Sequence, residues 1–439
     1  MRICTEAKRR FESVTASRSA FLRFTCRCAI WLAAIALAVG GGIYGLRYWV
    51  MDAETTSLSR AFADFYESLR NSRHFADYGA SGNIYTPLSV VLLVPFTWLC
   101  PDIAGCDTCV AAFRLPGFWI ALVLYLSLSI ALLVPLVRRL ARTEGRAGRM
   151  LAVTAVLSAP VVFAAARGNL IFAALICTLL FLLWYDSPSR WRRELALVAL
   201  AAAGVLKIYP LIFGCFLLNR RRFFDSARVA FYTAALFILP FFFFDGGLAN
   251  LRIFFCNLYG FGYGGGRNLA VSNISLVSTW SKLLHLIGLP FGASLEQTAA
   301  GEIAGGALTC LLFVLCCVIG IGVRDDLFRA LACGTAVCMV PAASYFYSLC
   351  FFLPALCFLV RDFDRLPLRC RRLSGGALWF FCLALFIIPF YPVQAIWMCG
   401  LVVCLLRIFV SERRAAAAAL RQGEPPGNRR SALDKPGTK

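Results

Sequence analysis

Long apolar stretches alternate with short polar ones along most of the chain, and this pattern predicts membrane-spanning helices. A helix needs roughly 20 mostly apolar residues to cross a bilayer. Stretches near that length predict spans at residues 28–48, 115–137, 150–166, 170–185, 229–244, 303–322, 328–344, 346–360, 376–391 and 393–410. We therefore predict an all-α polytopic membrane protein, a bundle of about 10–12 transmembrane helices with outer-face loops and juxtamembrane helices.

Some segments do not fit a simple span. Residues 87–100 are apolar but short, which favours a juxtamembrane or partly inserted helix. The longest outer loop, residues 245–302, contains a moderately apolar stretch, 276–290, that suits an interfacial helix. These segments predict helical pieces outside the regular bundle.

The segment 195–218 is apolar but interrupted by Lys207-Ile208-Tyr209-Pro210, and both of its ends are basic. The residue before a proline is disfavoured in a helix, so we predict two broken segments that meet at an elbow. Broken helices are tolerated at membrane depth only where they line a cavity or are buried in protein. One bent span, a re-entrant hairpin and two spans all remain open.

Basic residues cluster in short loops between the apolar stretches, as at Arg138-Arg139, Arg220-Arg221-Arg222 and Arg413-Arg414. The positive-inside rule assigns such loops to the cytoplasm. We predict a basic cytoplasmic N-terminal segment at 1–27, a transmembrane domain at 28–410 and a disordered cytoplasmic tail at 411–439. The first apolar stretch is too long for most signal peptides, so we interpret it as an uncleaved span.

Composition supports the membrane prediction and explains the charge. The mean hydropathy is +0.75, with 60% hydrophobic and 15% charged residues. The net charge of +21 follows from the cytoplasmic loops, so no nucleic-acid partner is expected. Most of the 20 cysteines lie in apolar stretches and resemble small buried hydrophobic residues. Cys100, Cys106 and Cys109 share a polar loop, where a disulfide, a metal site and unreactive thiols remain open.

Charged side chains within or beside a membrane are costly, which makes them candidates for function. Asp64 follows the first span, where a carboxylate suits a general base towards a hydroxyl or a solvated loop acid. Lys207 lies between two apolar half-segments and needs an anionic partner such as a lipid phosphate, unless it reaches the interface. Arg167 suits bidentate binding of phosphate or an interfacial anchor. Arg267 follows three glycines, which allow close backbone approach to a ligand.

An ordered set of short motifs resembles glycosyltransferase family 87, multispanning enzymes of the GT-C class. The set covers about residues 30–365 and comprises Asp64-Phe65-Tyr66, Ile84-Tyr85-Thr86-Pro87, Arg167-Gly168-Asn169, the segment Gly204–Pro210, Ser272-Asn273-Ile274-Ser275-Leu276, and Pro341 with Ser344-Tyr345. The segment around Lys207 is the most specific of these. The sequence departs from the family at Thr86, which replaces a second proline, and near Tyr347, where the family often has histidine.

The resemblance implies a GT-C-like fold and an inverting hexosyltransferase, mannosyltransferase-like, in the inner (plasma) membrane. Such an enzyme moves mannose or another hexose or pentose from a polyprenyl-phosphate donor to a lipid or glycan acceptor of the cell envelope. It implies an active site on the outer face, with Asp64 as the base and with no metal or cofactor, because cations stabilise the leaving phosphate. The implied phosphate ligands are Lys207, Arg167 and Arg267, and the implied substrate contacts are Tyr66, Tyr85, Asn169, Tyr209, Asn273, Ser275 and Tyr347.

Two other functions remain open. A transporter or flippase of lipid-linked saccharide would use the Lys207 elbow as a substrate site between half-helices. A glycan polymerase or ligase would consume a diphosphate-linked oligosaccharide. Formation of a new glycosidic bond from a monophosphate donor distinguishes the transferase from both.

Overall fold

The computed structural model describes residues 17–50, 61–73, 78, 84–263, 273–288, 294, 298–366 and 391–421. Regular secondary structure in these ranges is entirely helical, which confirms the predicted all-α class. The seventeen α-helices of the described residues are α1 Arg18–Val50, α2 Ala63–Arg73, α3 Pro87–Thr97, α4 Cys109–Ala112, α5 Pro116–Leu140, α6 Gly145–Val156, α7 Ala159–Arg167, α8 Ile171–Trp184, α9 Arg190–Leu206, α10 Cys215–Asn219, α11 Phe223–Ile238, α12 Asn250–Tyr263, α13 Leu276–Gly288, α14 Ala299–Gly322, α15 Asp326–Met339, α16 Leu353–Asp362 and α17 Tyr391–Arg421.

Among the described helices, three are long and apolar enough to cross a membrane: α5, α11 with the 3₁₀ turn that follows it, and α14. The bent pair α6 and α7 makes a fourth if it is counted as one span. Helix α5 leaves large apolar side chains exposed, among them Ile120, Val123, Leu124 and Leu128, a surface that suits lipid. The protein is therefore an all-α membrane protein. The total of about 10–12 spans stays a prediction, because segments such as 376–390 lie outside the described residues.

The predicted span at 150–166 is not one straight helix. The structure breaks it into α6 and α7, which meet at an angle of 53°. Ser158, between them, has an extended backbone with ψ 139°. Pro160 has no N–H to donate and is tolerated in the first turn of α7, whereas in the middle of a continuous helix it would remove a backbone hydrogen bond.

The predicted elbow is present, but its extended residue is Lys207 rather than the residue that precedes the proline. Helix α9 ends at Leu206, and Lys207 has φ −148° and ψ 114°. A 3₁₀ segment, Tyr209–Gly214, then leads into α10. Pro210 lies at the start of that segment, where its missing N–H removes no intrahelical bond. A Cβ on Gly204 would lie 2.3 Å from Leu211 Cγ, so glycine allows the returning segment to pack against α9.

The elbow segment returns to the side of the bundle from which it starts. Just after α10, Arg222 donates to the Tyr185 carbonyl at 2.7 Å, and Tyr185 lies a few residues before α9. Near the start of α9, Glu194 forms an ion pair with Arg228 of α11. These contacts place the beginning of α9 and the end of α10 at the same level, as in a re-entrant hairpin.

Helix α15 lies at the centre of the bundle, with every residue from Leu327 to Met339 buried. Arg329 in this helix is fully buried, and its guanidinium donates to the carbonyls of Gly320 at 3.0 Å and Val323 at 2.8 Å. It also pairs with Asp326 at 2.6 Å. Arg329 thereby satisfies carbonyl groups at the C-terminus of α14 that have no intrahelical partner.

The remaining segments extend several predictions. The described residues of the predicted outer loop form helices α12 and α13, and α13 lies in the stretch that was predicted to form an interfacial helix. Residues 18–27, predicted as part of the N-terminal segment, belong to α1, and residues 411–421, predicted as disordered, belong to α17. Residues 422–439 lie outside the described ranges. Cys100, Cys106 and Cys109 are buried free thiols.

Candidate functional site

The site is built where the N-terminus of α2 meets the C-terminus of α7. The Phe62 N–H donates to the Ala166 carbonyl at 2.8 Å, which ties the two helix ends together. Gly168 ends α7 in the left-handed conformation, with φ 62°. A Cβ at this position would lie 2.4 Å from Phe65 Cβ. Glycine therefore allows both the backbone conformation and the close approach of α2.

Asp64 lies in the first turn of α2, and three hydrogen bonds hold its carboxylate. Arg167 donates to Oδ1 at 2.5 Å and to Oδ2 at 3.2 Å. Asn169 donates its side-chain amide to Oδ2 at 2.6 Å. A bidentate arginine and an amide fix the orientation of the carboxylate, which is only 7% exposed.

Asn169 is itself held from two sides. Its Oδ1 accepts from the Ile171 N–H at 2.9 Å, and its carbonyl accepts from the Tyr125 hydroxyl at 2.8 Å. Tyr125 also stacks on Phe65, with ring centroids 5.4 Å apart. These contacts connect α5, α2 and the start of α8 in one rigid arrangement around Asp64.

A cavity of about 1490 Å³ opens beside the Asp64–Arg167 pair. One part of its wall is polar. Two acids, two bases and four tyrosines line this part: Asp64, Glu67, Arg167, Lys207, Tyr85, Tyr209, Tyr345 and Tyr347. Tyr347 is 8% exposed and stacks on Phe163, with ring centroids 6.1 Å apart. The sequence elements from α2, α7, the elbow and the segment after α15 thus converge on one space.

Lys207 contributes its ammonium group to this wall. The Nζ atom lies 5.2 Å from the centroid of the Tyr85 ring, a cation–π distance. Within the part of the chain that the structure describes, no carboxylate or carbonyl oxygen lies at hydrogen-bond or ion-pair distance from it. A partly buried ammonium of this kind can bind an anion that enters the cavity.

The rest of the cavity wall is mostly apolar and follows helix faces. One face of α11 lines it with Ser226, Val229, Ala230, Thr233, Ala234 and Phe237. These positions are three or four residues apart and extend over roughly 16 Å at about 1.5 Å per residue. Phe313 and Cys317 of α14, together with Phe254 and Leu258 of α12, face the same space. The cavity therefore joins a charged end to a long apolar groove.

The sequence model of glycosyltransferase family 87 matches residues 83–354, more than half of the chain. The chain belongs to glycosyltransferase family 87. It is a membrane glycosyltransferase, which supports the transferase over the transporter and the polymerase. No curated protein matches the chain. The matched range includes Arg167, Lys207 and most of the cavity, whereas Asp64 lies before its first residue.

Some residues predicted to contact substrate in this family 87 glycosyltransferase lie away from the cavity wall. The Tyr66 hydroxyl donates to the Cys106 carbonyl at 2.6 Å, on another face of α2. Asn169 is 1% exposed. It lies behind Asp64, which lines the cavity and accepts a hydrogen bond from it. Arg267 lies outside the described residues, so its predicted role as a phosphate ligand stays a prediction.

Asn273 and Ser275 are also buried, and they hold the cavity wall in place. The Asn273 amide and the Ser275 hydroxyl each donate to the Ala342 carbonyl at 3.0 Å. Asn273 Oδ1 accepts from the Ser344 N–H at 3.2 Å. The segment they fix, residues 341–345, lines the cavity. Asn273 is only 1% exposed, which suits a residue that holds the wall from behind.

Two further parts of the cavity wall are Glu67 and the α11 face, which the sequence did not reveal. Glu67 lies one turn after Asp64 and also lines the cavity, as expected for residues three apart on a helix. The signal for the α11 face was present in the small residues Ser226, Ala230 and Ala234, which recur every four positions. Small side chains at that spacing leave room for a ligand along the helix.

Proposed function

We propose that the protein transfers a sugar from a polyprenyl monophosphate to a hydroxyl of a lipid or glycan acceptor. The observation that carries this proposal is the shape of the cavity, which joins Asp64, Arg167 and Lys207 to an apolar groove along α11. A polyprenyl-phosphate sugar has the same division into an anionic head and a long apolar chain. Apolar pockets with a few convergent charged groups are typical of specific ligand sites.

The two cations would bind the donor phosphate. When the bond between the anomeric carbon and the phosphate oxygen breaks, negative charge grows on the phosphate, and fixed cations near it lower the barrier. Lys207 supplies a point charge and Arg167 a planar fork that fits two phosphate oxygens. These groups can do the work of a metal ion, so we propose a metal-independent reaction without a cofactor. Arg267 is proposed as a further phosphate ligand.

Asp64 would act as the general base. Its carboxylate would accept the proton of the acceptor hydroxyl as the hydroxyl oxygen attacks the anomeric carbon. Attack opposite the departing phosphate, in one displacement, inverts the configuration at that carbon. The tyrosine rings of Tyr85, Tyr209 and Tyr347 would contact the sugar. The sugar is proposed to be mannose or another hexose or pentose.

The charge distribution supports a site on the outer face of the membrane. Tyr125 of α5 contacts Asn169, and Arg138-Arg139 lie roughly 20 Å further along the same helix at about 1.5 Å per residue. Because arginine-rich ends face the cytoplasm, the opposite end faces outward. We propose an inner (plasma) membrane location with both termini in the cytoplasm. The partners would be membrane lipids, the lipid-linked donor and a cell-envelope acceptor.

Transfer from a labelled polyprenyl-phosphate mannose, measured with purified protein in liposomes with envelope lipids as acceptors, tests this proposal. We expect Asp64→Ala to abolish transfer while the protein remains folded and inserted. Asp107→Ala provides a matched control, because Asp107 is an acid in the nearby loop whose side chain is 94% exposed, and we expect normal transfer. Near-normal transfer by Asp64→Ala would contradict the role of Asp64. Movement of the donor across the membrane without a new glycosidic bond would contradict the transferase itself.

A further inference from the structure

Two roles proposed for the site compete for the same side chain. Arg167 donates to both oxygens of Asp64, and Asn169 donates to one of them. An ionised carboxylate has about four acceptor positions in all, and these hydrogen bonds occupy three of them. Arg167 also lines the cavity, with 31% of its side chain exposed. The arginine that would hold the donor phosphate is therefore bound to the residue that would act as the base.

We propose that Arg167 changes partner during the reaction. It first binds Asp64. When the donor enters, the donor phosphate draws the guanidinium away and leaves Asp64 able to accept the proton of the acceptor. This inference rests on the proposed function and adds an order to it, because the base becomes available only after the donor has bound.

The geometry suits such an exchange. A guanidinium presents its N–H groups in a planar fork that fits a carboxylate and a phosphate in the same bidentate manner. Lys207 lines the same cavity and attracts the phosphate to this end. Arg167 is the last residue of α7, so its side chain can change direction without disturbing a helix turn that follows it.

Asn169 keeps Asp64 in place when the arginine leaves. Its hydrogen bond to Oδ2, at 2.6 Å, does not depend on Arg167. Its own amide oxygen is held by the Ile171 N–H, and its backbone carbonyl by Tyr125. Asn169 is therefore a positioning residue, which fits its burial better than the direct substrate contact implied by the sequence.

With this exchange, each proton and electron pair of the transfer has a defined destination. The acceptor oxygen gives an electron pair to the anomeric carbon and its proton to the freed oxygen of Asp64. The bond between the anomeric carbon and the phosphate oxygen breaks, and its electron pair stays on the phosphate. The released polyprenyl phosphate is held by Arg167 and Lys207. When it departs, Asp64 loses its proton to solvent and binds Arg167 again.

Binding of farnesyl phosphate, a short polyprenyl monophosphate without sugar, tests the exchange by calorimetry on the purified protein. If Asp64 competes with phosphate for Arg167, Asp64→Asn frees the arginine and tightens binding by about 10-fold, within the usual range of coupling between sites. Arg167→Gln weakens binding. In the Arg167→Gln background, Asp64→Asn should change affinity by less than about 2-fold, because the shared partner is gone.

Glu67→Gln is the matched control, because it removes a carboxylate from the same cavity, one turn along α2. We expect a smaller effect than that of Asp64→Asn. Equal effects of the two variants, or a gain from Asp64→Asn that persists without Arg167, would mean general electrostatics and would overturn the exchange. An unchanged affinity in Asp64→Asn would overturn it as well. Thermal unfolding of each variant confirms that the compared proteins are folded.

The outcomes separate this inference from the proposed function. A wild-type protein that does not bind farnesyl phosphate contradicts the donor class and the exchange together. A wild-type protein that binds it, with no gain in Asp64→Asn, contradicts the exchange alone. For Asn169→Ala, a positioning role predicts a lower kcat with phosphate affinity within about 2-fold of wild type, whereas a loss of both would indicate a structural role.

Discussion

Gly168→Ala tests the junction of α2 and α7 on which the position of Asp64 depends. An alanine here adopts a left-handed conformation, φ 62°, which costs about 1–2 kcal/mol. Its Cβ would also lie 2.4 Å from Phe65 Cβ, far closer than two non-bonded carbon atoms approach. Overpacking of this kind costs about 1–3 kcal/mol more. We therefore expect the free energy of unfolding to fall by about 2–5 kcal/mol.

Gly145→Ala measures the cost of the left-handed backbone conformation without the close contact to Phe65. Gly145 has a similar φ, 54°, but no heavy atom lies within 4 Å of a Cβ built there. We expect it to lose only the conformational part, about 1–2 kcal/mol. Denaturant titration of the two variants in the same detergent measures the difference, and the sugar-transfer assay reports on the site.

The two variants should also differ in activity. Phe65 follows Asp64 directly, so displacement of Phe65 moves the carboxylate away from Arg167 and Asn169, and Gly168→Ala should lose most transfer. Gly145→Ala should retain it, because Gly145 begins α6 at the other end of the bundle. Equal destabilisation of the two variants, or full transfer by Gly168→Ala, would refute the argument that this close contact positions Asp64.

Two further predictions concern residues other than Asp64 and Arg167. Burial lowers the pKa of Lys282 from 10.5 to about 8. Between these pH values Lys282 is protonated in the unfolded chain but neutral in the folded protein, so the free energy of unfolding rises with pH. Unfolding midpoints measured from pH 7.5 to 10 should show this rise, and Lys282→Met, which cannot titrate, should reduce it. Tyr66→Phe removes the hydrogen bond to the Cys106 carbonyl and should cost about 1 kcal/mol of stability with an unchanged KM for the donor, whereas a raised KM would restore Tyr66 as a substrate contact.

Local sequence rules predicted the elements that depend on neighbours in the chain. A proline and a lysine within an apolar stretch predicted the elbow at Lys207. The extended residue in the structure is Lys207 itself, a few positions before Pro210 rather than directly before it. The helix α13 follows from an apolar stretch too short for a span. The break at Ser158 was missed because Pro160 was read as part of one continuous run of apolar residues.

The site itself depends on contacts that no local pattern encodes. Asp64 and Arg167 are 103 residues apart. Asp64 was predicted as a base, and Arg167 was predicted separately as a phosphate ligand. Nothing in the sequence indicates that they bind each other. The direction of Tyr66 could have been foreseen, because residues two apart on a helix do not face the same way. Asn273 and Ser275 were identified as important, and the structure places them behind the wall rather than on it.

The position of Asp64 outside the family-matched range has a consequence for comparing such proteins. The carboxylate comes from a segment before the matched range, and its partners Arg167 and Asn169 lie inside that range. We expect α2 to tolerate many sequences, provided that an acid lies in its first turn and glycine occupies position 168. In a related chain, the corresponding acid is therefore best identified as the one whose carboxylate binds the arginine and the asparagine of the Arg-Gly-Asn turn. An exchange of the N-terminal segment between two such chains should preserve activity when both keep that turn.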